Sequence, residues 1–180
     1  MEIIGGILVL IVMLIFSGIK VVKDSNRLVI YRFGKVVATK GVGMHLVMPL
    51  FETSETVDTR VKVVNTPELT ATTLELEAVS VSAICMFQVG DVARAVTKVD
   101  DYVSATSAVV QTALRTAVSQ NDLQTLLTEQ KGINKRLKAL AEKQTRDWGV
   151  NIKSIEITHL QVVPKLAAVE VKPELSAEPG

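Results

Sequence analysis

The 180-residue chain carries one cysteine, Cys85, and two histidines, His45 and His159. A single thiol excludes an intramolecular disulfide and a cysteine-built zinc site within one chain. Two imidazoles without a matched acid or nucleophile motif leave most metal and histidine-dependent catalytic arrangements short of parts. No Gly-x-Ser-x-Gly elbow, phosphate loop or metal-ligand spacing is present, so the sequence predicts no enzyme, no metal and no cofactor. Aromatic residues are scarce, at 4%. Charge of one sign is missing as well. The 20 basic and 19 acidic residues leave a net charge of +1, less than a protein that binds nucleic acid through charge would carry. What is plentiful is aliphatic surface. Hydrophobic residues make up 48% of the chain, enough for a real core and against the disordered class.

That apolar content is unevenly spread. Ile3 to Ile19 is seventeen residues without charge or proline, bounded by Glu2 and Lys20. A helix of that length is roughly 25 Å long, slightly short of the ~30 Å hydrocarbon core. Three readings compete. A cleaved signal peptide would want a basic leading segment and a small-residue cleavage site, and both are missing. A buried core helix or re-entrant hairpin would be unusual for so uniformly apolar a stretch. The third reading, a retained anchor over residues 1–19, single-pass or monotopic, rests on Ile3, Ile7, Leu10, Leu14 and Ile19. Beyond it, Lys20, Lys23, Arg27, Arg32, Lys35 and Lys40 stand against one acid, Asp24. The positive-inside rule then puts the following domain on the cytoplasmic face. Lys20, Lys23 and Arg27 are candidates for holding that domain against anionic lipid, at about 1 kcal/mol per residue. Arg27 and Arg32, which fall inside a strand-like run, also read as exposed strand edges.

Residues 20–163 read as one α+β domain, a mostly antiparallel sheet packed with helices. Leu28, Ile30, Val29, Tyr31 and Phe33 predict a strand apolar on both faces, with a hairpin at Gly34. Thr53 to Val64 reads as one long strand with Val57, Val61 and Val63 on a single face. A second long strand runs from about Leu74 to Val89, with Val79, Val81, Ala83, Cys85, Phe87 and Val89 on one face. The period changes at Asp91, which caps a short helix, and Asp100 or Asp101 caps the next. A short helical run covers Leu123 to Leu127. A longer one, Thr128 to Trp148, has a solvated face of Lys131, Lys135, Lys138, Glu142 and Arg146, and Gly149 ends it. Val150 to Val163 returns to a strand, with a parity slip between Ile152 and Ile155 that predicts a bulge. Residues 164–180, with Pro164, Pro173 and Pro179 and little periodicity, read as a flexible tail.

Taken in order, these residues resemble the stomatin-like branch of the SPFH/band 7 family. The likeness is carried by Lys20-Val21-Val22 after the apolar run, then Arg27-Leu28-Val29-Ile30-Tyr31-Arg32-Phe33-Gly34-Lys35. Gly41-Val42-Gly43 with Pro49, and Val57-Asp58-Thr59-Arg60, follow. The longest stretch runs from Ala95-Val96-Thr97-Lys98-Val99 through Gln111-Thr112-Ala113-Leu114-Arg115 to Leu126-Leu127-Thr128-Glu129. Trp148-Gly149-Val150 and an isoleucine-rich strand close it. The resemblance implies a membrane-anchored scaffold that self-associates, organises membrane microdomains and modulates partner proteases or channels. It implies no enzyme. This sequence departs at Leu74-Glu75-Leu76-Glu77, where the family has a Lys-Asp-Asn/Gly turn. It also lacks the family's long Ala/Glu-rich helix, so the chain reads as either naturally short or a fragment. The alternative function is a non-assembling adaptor that docks on a full-length relative or a membrane protease.

Four features remain for the structure to place. Cys85 sits mid-strand on an apolar face and reads as a core thiol. Asp58 and Arg60, two apart on one strand, read as a surface ion pair, with Arg60 at a neighbouring subunit as the sharper alternative. The helix bearing Gln111 and Arg115 is a second candidate oligomer contact. The run Val42 to Phe51 is either a core strand or an apolar patch dipping into the leaflet beside the anchor.

Overall fold

The computed structural model describes residues 17–48 and 50–164, together with Gly6 and Met13. Gly6, Met13 and Ser17 are helical. Ile3, Ile7, Leu10 and Leu14 of the expected anchor, Pro49, and the tail beyond Pro164 lie outside the described residues. Among the described residues no helix is long and apolar enough to cross a membrane. Ile19 does not close the apolar helix, as the uninterrupted run predicts. It opens a strand, β1 (Ile19–Val22).

The first unit is built of strands. β1 pairs antiparallel with β4 (Gly43–Leu46) as a two-stranded ribbon. β2 (Asn26–Arg32) lies between β3 (Lys35–Lys40) and β5 (Glu52–Asp58) in an antiparallel sheet. Its apolar residues are buried on both sides, as their pattern predicts. Leu28 and Ile30 meet Val22 and Val47, while Val29 meets Val57 from β5. Phe33 departs from that pattern. It sits in the β2–β3 turn at φ 52, followed by Gly34 at φ 77. Two successive positive φ values match the twist of the flanking strands, so the chain turns here and Phe33 never enters the sheet.

The expected single strand from Thr53 to Val64 is two strands in two sheets. β5 ends at Asp58, and β6 (Lys62–Asn65) pairs with β8 instead. Polar groups divert the chain between them. The Thr59 N–H and hydroxyl donate to the Ser25 carbonyl at 2.9 and 2.7 Å, and Gln88 Nε2 donates to the Thr59 carbonyl at 2.9 Å. The Arg60 N–H donates to Asp58 Oδ1 at 2.9 Å. Such local bonds offer the backbone an alternative to the ladder. Val57 is buried while Val61 and Val63 are exposed, so the three do not share a core face.

The second unit is organised on β8 (Ala78–Val89), which starts later than the apolar pattern predicts because Leu74 to Glu77 form a turn. The preceding strand β7 (Leu69–Thr72) alternates Leu-Thr-Ala-Thr, but over only four residues, and the pattern reading did not separate it. β7 and β6 share one edge of β8, and β9 (Val150–Val162) runs along the other. Between β8 and β9 come α1 (Val92–Lys98), α2 (Tyr102–Ser119), α3 (Leu123–Thr128), α4 (Gln130–Thr145) and a 3-10 turn over Arg146–Trp148. The odd-numbered residues of β8 from Val79 to Val89 are all buried, as their spacing predicts. Val110 and Leu114 of α2, with Ile133 and Leu137 of α4, cover them. Asp101 caps α2 by accepting from the Val103 and Ser104 N–H groups. The Ser104 hydroxyl, then those two N–H groups, hold its carboxyl below the ordinary carboxylate range. The predicted bulge is present. The β8–β9 register shifts between Met86 and Phe87, opposite Ile152 to Ser154, and again between Ser82 and Ala83.

α1 joins the units. Val92 and Ala95 are buried with Val29 and Val57 of the first sheet and Val89 of β8. Its entry is pinned by Gly149, whose carbonyl accepts from the Gly90 and Asp91 N–H groups at 2.9 and 3.0 Å. Gly149 has φ 75, and a Cβ there would meet the Asp91 carbonyl oxygen at 2.5 Å. Both the left-handed backbone and the close approach require glycine. Gly149→Ala is expected to cost about 2 kcal/mol or more in urea melts. A loss within about 0.5 kcal/mol, the range of a neutral surface change, would contradict this account of the joint.

Candidate functional site

The β1–β4 ribbon turns an apolar face outward. Direct cross-strand partners share a face of an antiparallel pair. The register sets Ile19 opposite Leu46 and Val21 opposite Met44, while Lys20 faces His45 and Val22 faces Gly43. The first four side chains therefore form one ladder. They are exposed at 44%, 60%, 70% and 77% respectively, in that pairing order. The other face is the one the core uses. Val22 is buried there, and His45 Nε2 bonds the Gly41 carbonyl at 2.8 Å. A ribbon with its apolar ladder toward solvent reverses the usual arrangement.

The same end of the unit carries two exposed phenylalanines. The ribbon is extended by the Val47 N–H donating to the Gly18 carbonyl at 2.9 Å, next to the helical Ser17. The chain then turns between Met48 and Glu52, leaving Met48, Leu50 and Phe51 exposed. Phe51 lies 6.2 Å from Phe33, ring centre to ring centre. Phe33 is 82% exposed and held at positive φ, a conformation that costs a residue with a side chain about 1–2 kcal/mol. Glu52 fixes this corner. Its carboxylate pairs with Arg32 of β2 and accepts from the Met48 N–H at 3.1 Å. The Arg32 hydrogen bond, then the Met48 one, lowers its pKa.

Magnitudes rank the forces at this face. Moving one such aliphatic or aromatic side chain from water to an apolar phase recovers on the order of 1–2 kcal/mol at these exposures. Six of them outweigh any one basic residue at a lipid surface, worth about 1 kcal/mol. Lys20 is exposed beside the ladder, on the opposite ribbon face. Lys23 follows β1 at the ribbon's far end. Arg27 points elsewhere, into a cleft of about 360 Å³ shared with Asp24 and Arg60. Its guanidinium also occupies the space a Gly41 side chain would fill, with Nη1 2.6 Å from the Cβ position.

The remaining candidates are dispersed. Arg60 is exposed in the bend after β5, where its N–H closes a turn on Asp58 instead of the pair lying along one strand. Gln111 is half-buried and Arg115 exposed on α2, in the other unit. Cys85 is fully buried on the inner face of β8, and burial pushes its thiol up to about 11. His159 pairs across from Ser82 on the outer face, with Glu68 3.8 Å from its Nε2. Among the described residues there is no cluster of three metal-ligating side chains. The pattern reading missed Phe33, and the signal for it was available: a Phe-Gly pair between two strands is a tight turn that points the ring away from the sheet.

Known proteins are similar in sequence to this chain. The SPFH domain / Band 7 family matches residues 20–170. A stomatin homolog of Pyrococcus horikoshii is 36% identical over 156 residues, covering 87% of this chain and 59% of that protein. A stomatin homolog of Pyrococcus abyssi is likewise 36% identical over 156 residues, covering 87% and 58%. Stomatin-1 of Caenorhabditis elegans is 27% identical over 168 residues, covering 92% and 51%. The chain thus spans a little over half the length of the curated relatives it matches. The family match covers the β-rich unit, the four helices and β9 alike, and the chain belongs to the SPFH domain / Band 7 family, among its stomatin-like members.

Proposed function

We propose that this protein is a membrane-bound scaffold whose first unit lies in the surface of the bilayer. The observation that carries the reading is the outward apolar ladder of β1–β4, directly after the apolar run at the N-terminus. The run Val42 to Phe51 then serves as a lipid-contact patch, with Met44, Leu46, Leu50 and Phe51 reaching the acyl boundary and Phe33 beside them. Ile3, Ile7, Leu10 and Leu14 anchor the chain, as one pass or within one leaflet, and place the domain on the cytoplasmic side. Lys20, exposed beside the ladder, meets anionic headgroups. Lys23 and Arg27 contribute less in this reading, because Lys23 stands at the far end of the ribbon and Arg27 turns into its cleft.

The second unit supplies lateral contacts. The protein self-associates on the membrane, organises lipid microdomains and modulates partner membrane proteins such as proteases or channels. It performs no reaction of its own and takes no cofactor. Its relatives' names as stomatins support the membrane setting. Arg60 and the α2 face bearing Gln111 and Arg115 are contact candidates, since both arginines are exposed and neither serves the core.

Two outcomes test this reading. Met44→Asp with Leu46→Asp in the full chain is expected to leave the thermal midpoint nearly unchanged, as surface changes cost within about 0.5 kcal/mol each. The same variant on vesicles should let protease cut the ribbon, which the native protein protects. Equal protection would sink the lipid contact. The native mass in mild detergent, corrected for bound detergent, should be many times 19.5 kDa. Charge reversal at Arg60 and Arg115 together should lower it. A monomeric native chain would leave the adaptor role in place of the scaffold.

A further inference from the structure

The turn between β7 and β8 presents leucine where the backbone calls for glycine. The Leu76 N–H donates to the Thr73 carbonyl at 3.1 Å, and the Thr73 N–H donates to the Glu77 carbonyl at 2.9 Å. Leu76 takes φ 63, the left-handed position that such a hairpin normally gives to Gly or Asn. Its side chain is 82% exposed and that of Leu74 66%. Neither leucine joins a core cluster, and Glu75 and Glu77 flank them. The backbone of the tip is also hydrogen-bonded. The Glu77 N–H donates to Thr73 Oγ1 at 3.2 Å, and the Leu74 N–H donates to the Asn121 carbonyl at 3.1 Å, just beyond α2. A strained, exposed apolar knob on a hydrogen-bonded backbone loses little further main-chain freedom when it docks.

A complementary surface lies elsewhere on the chain. The α4 face that its pattern marks as solvated lines a groove against β9, of about 510 Å³. Lys131, Lys135, Lys138 and Lys153 line it, with one acid, Glu156. Lysine stems provide apolar walls beneath their charged ends. The groove has room for the two leucine side chains and a surplus of positive charge for the two glutamates.

A chain cannot fill its own groove. The turn lies at the Ala78 end of β8, whereas Ser154 and Glu156 of the groove pair with Met86 and Ile84. Six to eight residues of strand separate them, on the order of 20 Å or more. We infer that the Leu74–Glu77 turn of one copy docks in the lysine groove of a second copy. This is a head-to-tail contact, which propagates into a ring or filament instead of stopping at a dimer. It rests on the self-association proposed above and names the surfaces that carry it, distinct from Arg60 and Arg115.

The test is the native mass of the full chain in mild detergent, with thermal midpoints measured alongside. Leu76→Gly removes the knob and relieves the backbone. It is expected to keep or raise the midpoint while the mass falls to that of a single chain or a small oligomer. Glu75→Lys with Glu77→Lys, and separately Lys135→Glu with Lys138→Glu, should each lower the mass. All four substitutions together should restore it. An assembled native chain whose mass ignores Leu76→Gly, or a four-fold charge swap that fails to restore assembly, overturns this contact and leaves self-association standing. A monomeric native chain overturns both.

Discussion

The register of one short ribbon governs the rest. β1 and β4 have four residues each, so a single choice of pairing decides which side chains meet the core. Val22 goes inward to Leu28, Ile30 and Val47. Period two then commits Ile19, Val21, Met44 and Leu46 to the outside. A slip by one residue would bury the ladder and expose Val22 and His45. The register is held at the Ile19 end by the bond from Val47 to Gly18, next to the helical Ser17. The outward apolar face therefore follows from the geometry that lets the first unit have a core.

From that ribbon the architecture separates two tasks. The first unit has small cores and much exposed apolar surface on the ribbon and the turn that follows it. The second has the large core, with β8 covered by α2 and α4, and its exposed apolar side chains, Leu74 and Leu76 among them, lie apart from the ladder. α1 ties them together through Val92 and Ala95, and the Gly149 carbonyl holds its start in place. In the proposed function the first unit meets the apolar phase and the second meets water and neighbouring chains. Among the described residues the thiol is buried and the two histidines lie in different units.

Much of this was legible in the residues, and the exceptions have physical causes. The inner face of β8 and the helix stripes were readable because one face is wholly apolar over many positions. Asp91, the pair Asp100-Asp101 and Gly149 announced helix ends through chemistry that few other residues supply, and the structure selects Asp101. The break at Thr59 was not readable, because it depends on hydrogen bonds to Ser25 and Gln88, distant in sequence. Ile19 could not be separated from the apolar helix, since isoleucine suits both a helix in lipid and an outward strand. The run from Val42 to Phe51 is apolar at both parities, so its exposed face is defined only once β1 is paired with it. Phe33 was assigned to the core because apolar periodicity takes no account of turn geometry.

The central claim is that the ladder face sits in lipid, and its depth can be measured. Cys85 is buried with its thiol raised, so a reagent will select a new surface cysteine. A fluorophore at Met44→Cys in the full chain, reconstituted in vesicles, should be quenched by a quencher carried on the lipid tails and shielded from aqueous iodide. One at Arg136→Cys, on the exposed side of α4, should behave in the opposite way. If the Met44 label instead responds to iodide as the Arg136 label does, the ribbon lies in water and the account is contradicted.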